Sequence, residues 1–503
     1  MLSQRKAGAV LGYGNVVIKN LVYLIYTPML LHFVGQADYG VYQTANSFVF
    51  SLTLLTFGFS QAYVRFFMRF NAKKDSDAIA GLNGVYVLLY TCVSLIALIL
   101  GLIFASFSDV FFSKGFTLVE IRLARILLSI MSVNISLTIF STVFDAYIMS
   151  HEKFVFQQSR QLFTTIITPI VSYFLLEMNT GTIGVACAQL VVTAVLLFLN
   201  VHFAIKKLRM RFRLHNHSKA LLRAIATFSA WIFINQICDL VNQNVPNILL
   251  GMLSGAEAVA IFAVAVQIRT VFYSLSTTMS TIFTPLINQI VAERNDNNEL
   301  TELMTRVGRY QAILYLWIWG GFLLTGRFFI EKWAGSGFDD VYWMVIAMTL
   351  AIFVPLVQNT GIEIQRAKNM HKARSVVYLC MAVVNLIITI VLAPSINGWA
   401  PVLGYVTYSI LGCGIFMNWY YQKRIGLNMY YFWKKISKCI ILAVPVIALC
   451  CIVTMWAPVA NWWIFVVWGI VYTTLYASIL YRYALEKTER MYFIDILKRI
   501  ISR

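Results

Sequence analysis

The sequence predicts an all-α polytopic membrane protein of about 14 transmembrane helices. These form two six-helix lobes, related by a parallel pseudo-two-fold axis, followed by two C-terminal helices. Three observations predict this class. The 503 residues are 60% hydrophobic and only 12% charged, with a mean hydropathy of +0.74, whereas soluble domains run near about 45–50% and about 25%. The apolar residues gather into runs long enough to cross a hydrocarbon core of about 30 Å, which takes about 20 residues of helix. The runs also repeat along the chain at a fixed offset. This composition excludes a soluble enzyme and a disordered chain.

In order, the apolar runs cover residues 8–31, 42–67, 81–107, 122–148, 159–177, 181–204, 225–252, 259–285, 307–329, 341–364, 374–393, 399–421, 439–456 and 461–481. The fifth and sixth are parted only by the turn Met178-Asn179-Thr180. Pro28, Pro169, Pro246, Pro355 and Pro445 fall inside runs, where a missing N–H and ring clash predict kinks. The first run follows Arg5 and Lys6 like a signal peptide, but its length and the lack of a small-residue cleavage site read as a retained helix. No loop is long enough for an extramembrane catalytic domain.

An even number of spans puts both termini on one side. About 33 of the 40 Lys and Arg residues lie in the termini and even-numbered loops, against about five on the other side. Basic residues accumulate on cytoplasmic loops, so both termini are expected in the cytoplasm. The net charge of +19 is then a membrane-topology signal, and no nucleic-acid partner is expected. The eight cysteines include no CxxC and the six histidines form no ligand spacing. No metal or cofactor is predicted, and the cysteines read as small buried apolar residues.

The segment GQADYGVYQTA at 35–45 recurs as GAEAVAIFAVA at 255–265, and Asn15 falls on Asn235 at the same offset of 220. DAYIMSHEK at 145–153 echoes IQRAKNMHK at 364–372, at an offset of 219. The offset carries span 1 onto span 7 and span 4 onto span 10, so the chain divides into lobes 1–212 and 213–428 and an appendage, 429–503. Parallel halves of this kind characterise carriers, whose substrate site lies near mid-membrane and is exposed alternately to the two sides.

A charged side chain at the centre of a span costs about +2.5 to +3.5 kcal/mol on insertion scales, so charges that break the apolar pattern mark cavities or partners. Lys19 lies mid-way along span 1, about 16 Å from either end at 1.5 Å per residue. Asn235, Asp239 and Asn242 are spaced i, i+4, i+7 on span 7, hence on one helical face. Asp239 is read either as a counter-ion for Lys19 or as a contact for substrate or ion. Arg269, on span 8 with Gln267, Thr270 and Ser274, suits bidentate binding of phosphate or carboxylate oxygens. These five are the candidate cavity residues. Arg65, Asp145 and Arg366 lie nearer the inner surface and, with Asp38 and Glu363, are candidates for gating or ion coupling.

Gly35 to Tyr42 after an Asn- and Lys-bearing first helix, and Gly58-Phe-Ser-Gln-Ala-Tyr-Val-Arg65-Phe in span 2, resemble the polysaccharide repeat-unit flippases. These are the O-antigen or Wzx-type transporters of the multidrug/oligosaccharidyl-lipid/polysaccharide (MOP) exporter superfamily. The resemblance implies a non-enzymatic carrier in the bacterial cytoplasmic membrane. It would move an undecaprenyl-diphosphate-linked oligosaccharide to the outer leaflet for O-antigen, capsule or exopolysaccharide synthesis, through a cationic cavity in which Lys19 and Arg269 are the matching cations. Its implied partners are that lipid-linked oligosaccharide, membrane lipids, a coupling H+ or Na+, and the polysaccharide polymerase and chain-length machinery. Asp38 sits where lipid-linked peptidoglycan-precursor flippases carry an acid, but their Arg-rich opening is absent. A multidrug/cation antiporter would want an acidic or aromatic cavity, and a membrane glycosyltransferase or polymerase a large external loop or acidic cluster.

Overall fold

The computed structural model describes residues 2–213, 229, 233, 236–370 and 372–483. Among these, all regular structure is helical. In chain order the principal helices are α1 (Leu2–Ser51), α2 (Phe59–Ala72), α3 (Ser76–Ser106), α4 (Leu118–Ser150), α5 (Phe154–Glu177), α6 (Gly181–His202), α7 (Val245–Leu253) and α8 (Ala256–Thr281). They continue as α9 (Thr284–Glu293), α10 (Asn297–Ala334), α11 (Asp339–Val357), α12 (Asn359–Ala367), α13 (Lys372–Ile396), α14 (Trp399–Thr407), α15 (Met429–Trp456) and α16 (Trp462–Tyr483).

Among the described residues, 11 helices are long and apolar enough to cross a membrane. Physical reasons separate this number from the expected fourteen. Gly14–Ala72 is a single apolar stretch of 59 residues, about 90 Å if straight and close to three hydrocarbon cores. Gly35, at φ 78° and ψ 175°, takes the chain out of helix within it, and Phe57 and Gly58 do so again with φ of 46° and 69°. The fifth run, within α5, is less apolar than these 11 because one of its faces is polar. Nine of the 28 residues of the run 225–252 lie outside the described residues.

Helix starts are set by short polar side chains that satisfy otherwise unpaired N–H groups. The Asp75 carboxylate accepts from Ala78 N at 2.9 Å, and Thr117 and Glu120 form a reciprocal capping box at the head of α4. The expected proline kinks resolve into two kinds. Pro246 sits in the first turn of α7, just after the break at Asn244, and Pro355 lies three residues before the break at Gln358. Pro28, Pro169 and Pro445 lie inside helices that continue through them.

Positive-φ residues recur along the chain at nearly the same separation as the repeated letters. Left-handed residues occur at Gly35 and Gly255, Lys74 and Asn295, Glu152 and Asn369, Asn179 and Asn397, and Arg209 and Gly426. Their separations run only from 217 to 221 residues. A left-handed non-glycine residue costs about 1–2 kcal/mol, and three of the five pairs, Lys74 and Asn295, Glu152 and Asn369, and Asn179 and Asn397, are non-glycine at both positions.

The chain packs as two compact units, Met1–Ala263 with Ala382–Pro401, and Val264–Met381 with Val402–Arg503. In the first, the two copies of the repeated segment meet: a Cβ on Gly40 would stand 1.8 Å from the Ala256 carbonyl oxygen. Asn247 Nδ2 donates to Ser47 Oγ at 2.9 Å beside that approach. In the second unit α10 is the axis on which the last two helices dock. Tyr472 Oη donates to Leu316 O at 3.2 Å and Tyr476 Oη to Ile313 O at 2.7 Å. Cysteine burial departs from expectation: Cys92 and Cys380 are exposed on apolar helices, while Cys238, Cys413, Cys439 and Cys450 are buried. Thiols are apolar enough to face lipid as readily as a core.

Candidate functional site

A cavity of about 590 Å³ lies within the first unit, walled by α1, α4, α5 and α6. Each helix presents one face to it. From α4 come Asn134, Thr138, Ser141, Thr142 and Asp145, spaced i, i+4, i+7, i+8, i+11. From α5 come Gln157, Gln161, Thr164, Thr165 and Thr168 with the same spacing, and Arg160 beside them. α6 adds Gln189, Thr193 and Asn200, and α1 adds Lys19, Tyr23 and Tyr26. Such spacing keeps polar groups on a single helical stripe, so the outward faces stay apolar for lipid.

The hydroxyls are arranged to tolerate this environment. Thr138 donates to Asn134 O at 2.9 Å, Thr142 to Thr138 O at 3.1 Å, Thr164 to Arg160 O at 3.1 Å and Thr165 to Gln161 O at 2.9 Å. Each donor is satisfied by its own helix, which leaves oxygen lone pairs toward the cavity. Tyr26 Oη donates to Ser172 Oγ at 2.9 Å and Gln189 Nε2 to Tyr42 Oη, fixing the far end.

Charge gathers at the other end. Arg160 Nη2 lies 2.6 Å from Asp145 Oδ1, and its Nη1 donates to Asn200 Oδ1. Asn200 is anchored in turn by donating to Ser141 Oγ at 2.8 Å. Asn15 Nδ2 bonds to Gln158 and Tyr26 to Ser172, so α1 and α5 run parallel, slipping by about three residues between the two contacts. Lys19 therefore stands about 3–8 Å farther along the helix axes than Arg160, counted from the first contact or the second. Lys19 is exposed, with Nζ 5.6 Å from the Tyr23 ring centroid. From Asp145 to Asn134 the wall extends about 16 Å along α4. The site is thus an elongated chamber with two cations and one carboxylate at one end and, along the rest, neutral hydroxyl and amide groups interspersed with the apolar Val22, Pro169, Val192 and Leu196. Such a surface can hold an anion at the charged end and a polyhydroxylated group beyond it.

The other candidates are distributed as follows. Asp145, expected near a gate, is a wall residue paired with Arg160. Asn242 is buried in the first unit, donating to Cys238 O and accepting from Asn385 Nδ2, both at 2.9 Å. Asp239 is exposed, Asp38 is half-buried three residues past Gly35, and Arg65 is exposed on α2. Asn235 lies outside the described residues. In the second unit Arg269 is buried, its guanidinium 4.1 Å from the Tyr405 ring centroid and Nη1 3.9 Å from Met348 Sδ. Glu363 is buried on α12, accepting from Arg366 Nη1 at 2.7 Å and Thr284 Oγ1 at 3.3 Å, with Arg366 largely exposed. Among the described residues no three His, Cys, Asp or Glu side chains gather as a metal set.

Arg160 is the residue that sequence reasoning missed. Its signal was present, since two successive spans carry the same five-position polar stripe.

At the loop between α4 and α5, burial holds the His151 imidazole below its ordinary range. Lys153 pushes the same way, and a bond to Tyr147 O opposes it.

The chain is 22% identical over 486 residues to the uncharacterized membrane protein EpsK of Bacillus subtilis (strain 168), covering 94% of this chain and 93% of that one. Its fold is similar to the lipid II flippase MurJ in an inward closed conformation, with a TM-score of 0.72 at 15% identity, covering 94% and 98% of the two chains. It is also similar to an inward-facing multidrug resistance MATE family transporter of the MOP superfamily, with a TM-score of 0.64 at 13% identity over 81% and 94%. A model of the polysaccharide biosynthesis proteins matches residues 6–291, more than half of the sequence. The chain is therefore a multi-pass membrane protein that belongs to the polysaccharide biosynthesis protein family.

Proposed function

We propose that this protein is a flippase for a polyprenyl-diphosphate-linked oligosaccharide. It moves an undecaprenyl-diphosphate-linked repeat unit from the inner to the outer leaflet of a bacterial cytoplasmic membrane by alternating access. The product feeds assembly of O-antigen, capsule or exopolysaccharide, and both termini face the cytoplasm. The observation that carries this reading is the chamber of the first unit, where Lys19 and Arg160 stand at one end of a wall rich in Thr, Asn and Gln, with Val22, Pro169, Val192 and Leu196 between them. The cations suit phosphate oxygens and the neutral stripes suit sugar hydroxyls. Membership of a polysaccharide biosynthesis family and a fold shared with a lipid-linked precursor flippase support it. The repeated left-handed turns support division into lobes 1–212 and 213–428 with the appendage 429–503.

Lys19 is the first-lobe cation of this mechanism, and Arg269 is its second-lobe candidate once it leaves the Tyr405 ring. Asp239, Asn242 and Asn235 are secondary candidates for contact. Asp38, Arg65, Glu363 and Arg366 are candidates for gating or for coupling to H+ or Na+. The membrane potential favours the direction: a headgroup of two negative charges gains roughly 4.6 kcal/mol on moving outward across 100 mV, inside negative. An organic-cation exporter fits poorly, because the chamber holds two cations against a single carboxylate.

The test is transport in vesicles. Proteoliposomes loaded with a fluorescent polyprenyl-diphosphate glycan are scored for leaflet exposure by an impermeant quencher. Faster equilibration than in protein-free vesicles, slowed in Lys19→Ala, supports the reading. Transport of organic cations with no movement of the glycolipid contradicts it. Preference for a peptidoglycan precursor over simpler glycans would move the protein to that neighbouring function.

A further inference from the structure

The chamber contains one group that an anion-binding site does not call for, the carboxylate of Asp145. It lies 2.6 Å from the Arg160 guanidinium, whose other arm is held by Asn200. Asn200 is itself fixed to Ser141, so one arm of the guanidinium is anchored to the scaffold and the other is held by a side chain in the chamber wall. Asp145 is the more open of the pair, with its side chain 31% exposed against 14% for Arg160. A sealed structural ion pair would have neither partner on a cavity surface, and both of these are wall residues.

We propose that Asp145 is a displaceable counter-ion. It occupies Arg160 between transport events and gives that guanidinium up to a phosphate of the headgroup, so that the substrate is captured and released by exchange of one anion for another. This rests on the reading of the chamber as a diphosphate site. A phosphate offers more charge and more acceptor oxygens to the planar fork than a carboxylate does, so it wins the exchange when present. Repulsion between the two anions turns Asp145 aside while the phosphate is held, and the returning carboxylate lowers the barrier to its departure. A carrier whose two cations had no internal competitor would hold a diphosphate too long to turn over rapidly, because ground-state affinity beyond what capture requires slows release. Asp145 is in these terms a positioning residue that acts through Arg160.

Inorganic pyrophosphate, titrated into the purified full-length protein in detergent, is the probe. Glycolipid flipping in proteoliposomes is the second readout. Asp145→Asn is expected to tighten pyrophosphate binding about tenfold, equivalent to about 1.4 kcal/mol, while slowing flipping at saturating glycolipid. Asp145→Glu, which keeps the competing charge, is expected to bind more weakly than Asp145→Asn. Arg160→Gln is expected to weaken binding, and adding Asp145→Asn to it is expected to give no further tightening, since the effect runs through the guanidinium. Asp145→Ser serves the same comparison where the Asn variant fails to accumulate. Unchanged or weaker pyrophosphate binding in Asp145→Asn, with the loss in Arg160→Gln intact, overturns the counter-ion role and leaves the diphosphate site standing. Unchanged binding in both Lys19→Gln and Arg160→Gln removes the diphosphate site, and the counter-ion role with it.

Discussion

Gly40 and Ala256 approach so closely that a methyl group on Gly40 would stand 1.8 Å from the Ala256 carbonyl oxygen. Both belong to the segment that occurs twice in the sequence, and each follows a left-handed glycine, Gly35 or Gly255. The two helices can pack backbone to backbone here because residue 40 has no side chain. Backbone on both sides leaves nothing flexible to yield. Gly40→Ala is therefore expected to destabilise the protein by about 1–3 kcal/mol or more, read as a lower melting temperature in detergent. Gly14→Ala, where nothing lies within 4 Å, is expected to be neutral or stabilising by up to about 1 kcal/mol.

The docking of the last two helices supplies a coupled prediction. A Cβ on Gly320 would meet the Tyr472 hydroxyl at 2.1 Å, the same hydroxyl that bonds Leu316 O. Gly320→Ala and Tyr472→Phe are each expected to destabilise, the second by about 0.5–1.5 kcal/mol for one lost hydrogen bond. Together they should cost less than the sum, because removing the hydroxyl also removes the closest clash. Thermal melts of the four proteins measure the difference, and strict additivity would place the clash elsewhere.

His151 predicts an acid limb in stability. Its imidazole is half-buried against Phe67 and Tyr147, and burial lowers its folded-state pKa from an ordinary value of about 6.5. A depressed folded pKa means that the unfolded chain binds the proton more readily. The contribution is thus fully present above about pH 6.5 and is lost as pH falls through the folded value. Melting temperature should decline from pH 7.5 to pH 5, and His151→Gln should flatten that decline.

Much of this architecture was legible before any coordinates, and for physical reasons. The bilayer excludes unpaired backbone, so long apolar runs can only be helices. Gly35 and Gly255 are identifiable because a left-handed break favours glycine, and the letters around them repeat. Lys19 stood out because an ion amid apolar residues is expensive, and it does line the chamber. Arg160 escaped notice because it lies a turn and a half into α5, where a cation reads as interfacial. The threonine and glutamine stripes of α4 and α5 escaped because only charged residues were taken to break the apolar pattern, and these side chains are neutral. What no sequence spacing could supply is the partner of a buried side chain. Arg269 rests on Tyr405 and Asn242 accepts from Asn385, each more than a hundred residues away.

The most direct test of the central claim is the affinity of the purified protein for a polyprenyl-diphosphate glycan, compared with the same glycan on a neutral polyprenyl lipid. It is measured for the wild type and for Lys19→Gln/Arg160→Gln. The account predicts that the wild type prefers the diphosphate lipid, that the preference weakens as salt rises, and that the double variant loses at least about tenfold in affinity for that lipid with little change for the neutral one. Equal loss for both lipids, or a preference for the diphosphate that survives without the two cations, would contradict it.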